Sequence, residues 1–466
     1  MNSSANLIIR NGHVCDPLNR RDGVMDVLVE NGRIAEVGEA LQAPKGALEI
    51  DAAGAWVLPG VIDSHCHIGS TFGSDWGARM ALKSGVTMGI DMAGPLPDIL
   101  ERGHRTGSGF QLAVMDALPY DTDPARYLEQ RLDEGAFGLK ILGGHYPQPV
   151  EVCEKAIAAA DRLHVAIAWH AGSTTAGSDI KGMREAVKAA RGLPLHMAHI
   201  NAYCRGRVMP AAEEAEIALS LLKAHPEIYS EAYLCPGNAT MLDTDEAGNL
   251  LDSVTKMCVK AFNVPVNREG LLSTIRDGHC VVCVPTDEGT VRVSPEEGVR
   301  AFEAAGHGGE GLMGSFPVND PEIQKLLTTA RRADGRFVVD AISTDGGAIP
   351  RNDLVERGLA LVNAGALTLG EFVLKSSVIP ARRLGLFDRG HFSTDAAADI
   401  TIVDKTSRLA RDVVIAGRPA MLAGRVMGEG LTFVTTQRGR ANIERLGYKA
   451  IVSHVEAADR ARDVSI

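Results

Sequence analysis

Eight short apolar runs separated by stretches of helical character constrain this 466-residue chain more than any other feature. They are Val57 to Ile62, Val86 to Met92, Gln111 to Ala117, Phe137 to Leu142, Val165 to Trp169, Pro194 to His199, Ile228 to Leu234 and Phe337 to Ser343. Strands that alternate with helices imply parallel pairing in an α/β layer structure, and eight such units are what a (β/α)8 TIM barrel requires. Most run starts lie about 25 to 35 residues apart, but over a hundred residues separate the seventh from the eighth. Residues 236–335 therefore read as an insert over the barrel mouth, since long barrel insertions occupy the loops at the active face.

The flanking segments have a different texture. Residues 1–55 and 395–430 alternate apolar and polar residues, with Asn-Gly pairs in the first segment that suit the positive φ of tight hairpins. The two segments are expected to pair into a small β-sandwich, leaving 56–394 as the barrel. Residues 431–466 read as a polar, helical tail with no assignable chemistry.

Composition excludes several functions. With 45% hydrophobic and 23% charged residues the chain reads as a soluble globular enzyme, and its net charge of −11 argues against nucleic-acid or anionic-membrane partners. No signal peptide and no apolar run of eighteen residues is apparent, so a cytoplasmic location is expected. The one C-x-x-C, Cys280 to Cys283, lies in a valine-rich run without a second pair at zinc-finger spacing, and reads as reduced and structural. Gly306-x-Gly308-x-x-Gly311 follows a helical stretch instead of a strand, so it is not read as a dinucleotide site. Walker A, G-x-S-x-G and H-E-x-x-H motifs are absent.

The chemistry is concentrated at strand ends. The first run closes in Asp63-Ser64-His65-Cys66-His67, and because strand side chains alternate, His65 and His67 point to one side and can share a metal. In a barrel the C-terminal strand ends converge, which adds Lys140, His170, His199 and Asp345 to the candidates. Asp287, also after a Thr at the end of a strand-like run, competes with Asp345 for the eighth-strand position. His196 stands at an odd offset from His199 and is expected to pack against the helices; His145, in a loop, is expected to be solvated. Arg351, Tyr146 and Asn238 follow strand ends and are expected to contact substrate, Arg351 by a bidentate contact to a carboxylate.

The stretch LPGVIDSHCHI resembles the first-strand signature of the amidohydrolase superfamily, and the full set of strand-end residues resembles its dihydroorotase and dihydropyrimidinase (hydantoinase) branch. That resemblance implies two divalent metal ions, zinc first, with Mn, Fe or Co as alternatives. It also implies a carbamate on Lys140 bridging them, with His65, His67, His170, His199 and Asp345 completing the coordination. Asp345 would also be catalytic, moving the proton from water to the leaving nitrogen. The expected substrate is a small-molecule amide, foremost a cyclic amide or ureide such as a hydantoin, dihydropyrimidine, lactam or imide, and the expected assembly a homo-oligomer. STDGGAIPR is similar to the aspartate-glycine then proline-arginine motif of N-acyl-D-amino acid deacylases, the alternative, although those enzymes generally lack the strand-four lysine. An aromatic-base deaminase or a non-catalytic scaffold comes third.

Overall fold

The apolar stretch Trp56 to His67 is divided at Gly60 between two sheets. A Cβ at Gly60 would sit 2.6 Å from Thr87 Oγ1 and 2.7 Å from Asp399 Cβ, so only glycine lets the chain pass between these neighbours. On one side Ala55–Pro59 joins the terminal sheet; on the other Val61–His67 opens the barrel. The boundary between the two units thus falls inside the run expected to be a single strand. The computed structural model describes residues 6–69, 75–306, 309 and 311–454.

The terminal segments form one nine-stranded sheet. Ala55–Pro59 is its hinge, running parallel to Leu7–Asp16 on one side and antiparallel to Ile400–Asp404 on the other. Side chains from both ends of the chain, among them Ile9, Val29, Val57, Ile400 and Val414, share one buried core. This is the small β-unit expected from the hairpin texture of the two segments.

The barrel strands are Val61–His67, Val86–Asp91, Gln111–Ala117, Gly138–Leu142, Ala166–His170, Leu195–Met197, Ile228–Tyr233 and a broken eighth strand, Ala341–Ser343 then Gly346–Gly347. All neighbouring pairs are parallel. The break is what closes the ring: Ala341–Ser343 pairs with Ile228–Tyr233, and Gly346–Gly347 pairs with Val61–His67. Intervening helices cover the barrel with small apolar residues at helical spacing, as where Cys153, Ala156, Ile157 and Ala160 of Val150–Arg162 enter the buried layer that also holds Leu139, Ile141 and Trp169.

Residues 236–335 are more than a loop. Thr240–Met241, Met313–Ser315, Val281–Thr286 and Gly289–Arg292 form a four-stranded sheet in that order, packed with helices around their own core of Leu242, Ile275, Val282, Phe302 and Phe316. Gly308 of the glycine pattern lies outside the described residues. All eight cysteines are free and buried, Cys280 and Cys283 included.

The tail departs from its helical expectation. Thr432–Thr435 and Lys449–Val452 are parallel strands around one short helix, Arg440–Arg445, and Thr432–Thr435 adds in parallel to Gln111–Ala113 of the third barrel strand. The fourth strand pairs only with Met115 to Ala117 of that strand, so the tail occupies the gap left at the other end. Its polar residues concealed the short alternations that pair. Residues 455–466 lie outside the described residues. No helix among the described residues is long and apolar enough to cross a membrane.

Candidate active site

His65 and His67 emerge from the C-terminal end of the first barrel strand, both buried, with ring centroids 5.3 Å apart. Asp345 reaches them from the break in the eighth strand: its Oδ1 lies 3.3 Å from His65 Nε2 and 2.9 Å from His67 Nε2. The ligating atoms of these three residues lie within 4.8 Å of one another, the geometry of a shared cation. Asp345 has φ 50 and His199 φ 31, both in the left-handed region, which is uncommon for residues other than glycine although Asn, Asp and His enter it more often than most. Such backbone costs on the order of 1–3 kcal/mol per residue and persists where the surroundings impose it. Here the N–H of Asp345 donates to His65 O at 2.8 Å, and the N–H of His199 donates to Glu231 Oε1 at 2.6 Å.

His170 closes the fifth strand and His199 follows the sixth, with ring centroids 4.3 Å apart; His199 stacks on His65 at 5.0 Å. Burial pushes both His170 and His199 well below the ordinary imidazole range, so both rings are neutral and carry a lone pair. The buried Nδ1 of His199 has no hydrogen-bond partner among the described residues. Lys140, from the middle of the fourth strand, is 1% exposed and extends its amine to Met92 Sδ at 3.6 Å. It makes no ion pair among the described residues, and burial lowers its pKa to about 8. An aspartate, four histidines and a buried amine that burial brings closer to neutrality, gathered in one pocket, fit a site for divalent metal.

Several residues differ from their sequence expectation. Asp287 sits in the tight turn between Val281–Thr286 and Gly289–Arg292, away from the pocket, so Asp345 holds the eighth-strand position. Tyr146 is 55% exposed and packs edge-on against Tyr120 outside the pocket. The turn at Gly143 and Gly144 instead brings in His145, whose Nδ1 lies 3.3 Å from Asp252 Oδ2 of the insert. Arg351 lines the pocket, but its guanidinium is engaged internally: it pairs with the Asp345 carboxylate, donates from Nε to Asp345 O at 2.6 Å and lies 4.7 Å over the Tyr233 ring. Asn238 also lines the pocket while holding the insert, accepting from the Phe316 N–H at 2.9 Å. His196 does not face the helices. The sixth strand ends at Met197 and the chain turns at His199, which breaks the alternation on which the odd offset relied, and His196 points inward with Nε2 3.6 Å from Glu231 Oε1.

Glu231 is the residue that sequence reasoning missed. It is fully buried in the seventh strand and accepts the His65 Nδ1 proton at 2.8 Å, the His199 N–H and the Ser343 hydroxyl. Burial alone would raise its pKa, but the imidazoles of His65 and His196 outweigh that and hold it well below the carboxylate range. An ionised Glu231 fixes the proton on His65 Nδ1 and leaves Nε2 free to face the pocket. For Asp345 burial likewise opposes ionisation, and Arg351 with His65 and His67 overcomes it.

Comparison with known proteins gives the family and the fold. The Amidohydrolase family model matches residues 56–427. A dihydroorotase of Pelobacter propionicus is 26% identical over 443 residues, covering 86% of this chain and 90% of that protein. Among solved structures, a D-hydantoinase superposes with TM-score 0.61 at 15% identity over 93% of this chain and 99% of that one. A D-aminoacylase does so with TM-score 0.62 at 16% identity over 92% and 99%. The barrel, its terminal sheet and the match over most of its length place this chain in the amidohydrolase family.

Proposed function

We propose that this chain is a two-metal hydrolase that opens the C–N bond of a cyclic amide or ureide. The observation that carries the reading is the convergence of His65, His67 and Asp345 on one point beside His170, His199 and the buried amine of Lys140. Likeness to a dihydroorotase over most of both chains supports a ring amide as the substrate. His65, His67, His170, His199 and Asp345 would hold two divalent ions, zinc first. When bound, such a pair lowers the pKa of water toward about 7 and polarises the carbonyl oxygen.

The chain's own residues supply the rest. A lysine cation would repel both ions, whereas a neutral Lys140 amine can form an N–C bond with carbon dioxide and release a proton. The resulting carbamate offers two oxygens in place of a charge of the wrong sign. Asp345 takes a proton from the attacking water and returns it to the leaving nitrogen, with Arg351 holding its far oxygen. Glu231 sets the His65 tautomer. His145 and the insert residues Thr240, Met241 and Met313 flank the entrance and limit the shape admitted.

Metal analysis together with a turnover screen tests the proposal. About two equivalents of metal per chain and hydrolysis of hydantoins, dihydropyrimidines or lactams are expected. Hydrolysis confined to N-acyl-D-amino acids would move the chain to the deacylase reading, and metal-free protein without turnover would overturn both.

A further inference from the structure

Two arginines in the pocket are not used by the mechanism. Arg205 and Arg207 follow the sixth strand, and both line the cavity that holds Asp345 and the histidines. Arg205 donates from Nε to Asn319 Oδ1 at 2.8 Å and from Nη2 to Tyr233 Oη at 2.6 Å. Arg207 donates from Nη1 to Ser178 O at 2.9 Å. These partners are neutral, and among the described residues neither guanidinium forms an ion pair. In a chain of net charge −11 this is a notable omission, because acidic side chains to neutralise them are plentiful.

The loop that presents them is fixed from below. Glu214, fully buried, accepts the N–H of Gly206 at 2.7 Å, of Val208 at 2.8 Å and of Met209 at 3.3 Å, and so spends its charge on the backbone on either side of Arg207. Asn319 in turn is anchored by donating to Cys235 O and Pro236 O, each at 3.2 Å. Both arginines stand one residue from the reacting centre. Ser178, whose carbonyl holds Arg207, places its hydroxyl 2.7 Å from His170 Nε2. Tyr233, whose hydroxyl accepts from Arg205, lies beneath the guanidinium of Arg351, which pairs with Asp345. Of the charged groups lining the pocket, Asp345 is the acid and is matched by Arg351; Arg205 and Arg207 remain unmatched.

We infer that Arg205 and Arg207 form the anion-recognising wall of the pocket, and that the substrate is an amide or ureide bearing a carboxylate, bound by this pair instead of by Arg351. The inference rests on the hydrolase reading for the word amide, but not for the carboxylate. A rigid, pre-placed guanidinium pair suits a planar carboxylate because the fork of donors is already oriented.

Calorimetric binding of succinamate and succinamide to the metal-loaded full chain tests it, since the two probes share one amide and differ only in whether the other end is a carboxylate. The wild type is expected to bind succinamate at least about 10-fold more tightly, the scale of one charge-assisted contact. Arg205→Gln and Arg207→Gln should each bring that ratio toward one while leaving succinamide binding unchanged, which also shows that the variants are folded. Arg205→Lys should retain part of the preference. Equal binding of the two probes by the wild type, or variants that weaken both alike, would overturn the inference. A wild type that keeps the succinamate preference yet hydrolyses no amide would remove the hydrolase reading and leave the anion wall standing.

Discussion

Glu231 Oε1 lies 2.8 Å from His65 Nδ1 and 2.6 Å from the backbone nitrogen of His199, so one carboxylate in the seventh strand holds a side chain of the first strand and the backbone turn that follows the sixth. Replacing it by glutamine keeps the volume but removes the charge that holds the Nδ1 proton. Glu231→Gln is expected to lower metal affinity or turnover by roughly 10–100-fold, the usual cost of losing such a supporting partner. Chelator-competition titration of the purified variant measures the first and steady-state kinetics the second.

Lys140→Ala should lose most of the bound metal and most of the activity, because the carbamate proposed on this side chain would go with it. Acetate or propionate should restore part of both by occupying the vacated space as a carboxylate. Mass spectrometry under native conditions checks the modification itself, and a wild type that never carries the added mass of carbon dioxide speaks against the carbamate.

Asp345→Asn removes the group placed between the two histidines and Arg351, and turnover is expected to fall by at least about 100-fold, within what general acid-base catalysis supplies. Asp287→Asn, altered in a hairpin turn of the insert, should stay near wild type. The opposite ranking would mean that the carboxylate at the strand break is structural only.

Gly144 has no room for a side chain, since a Cβ there would collide with the imidazole ring of His170. Gly144→Ala should displace that ring and depress activity while thermal unfolding shifts little. Differential scanning calorimetry beside a rate measurement separates the two effects.

Acid should destabilise the metal-free protein through its buried histidines, with the raised carboxyls of Asp63, at about 7, and Asp116, at about 6, working in the opposite sense. Burial lowers the pKa of His196 from about 6.5 to about 4. Between these values the unfolded chain binds a proton that the folded chain refuses, so stability is full above about 6.5 and falls as pH drops toward 4. The slope is about 1.4 kcal/mol per pH unit for one such histidine. His65, His170 and His199 are shifted in the same direction and add to it. Urea midpoints at pH 6.5, 5.5 and 4.5 measure the fall, which should be shallower in His196→Asn.

Much of this arrangement was legible in the sequence, and the exceptions have identifiable causes. Barrel strands announce themselves because burial on both faces demands continuous apolar runs, and six polar groups at their ends stand out against that background: His65, His67, Lys140, His170, His199 and Asp345 are all brought to one pocket. Glu231 escaped notice in Ile228–Tyr233 because tyrosines flank it there, although Tyr229, Glu231 and Tyr233 alternate, and a carboxylate on an otherwise apolar barrel strand is itself a signal. His196 was misplaced because counting parity along a strand presumes that the strand continues, and it stops at Met197. The exchange of Tyr146 for His145 was set by backbone turning at two glycines, which periodicity does not describe. Arg205 and Arg207 lie beyond a strand end in a loop whose course depends on Glu214, twelve or more positions from the nearest barrel strand on either side.

The insert keeps its own apolar core and touches the pocket with only a few of its side chains. Such an arrangement separates what the molecule must conserve to fold from what it can vary to discriminate. Changes at Thr240, Met241 or Met313 alter the entrance without opening a void among the barrel helices, and their cost is borne by a unit that the barrel does not need in order to close its ring. A lineage with this layout can explore new substrates by exchanging one module, and an engineer grafting the corresponding segment from a relative would be following the same seam.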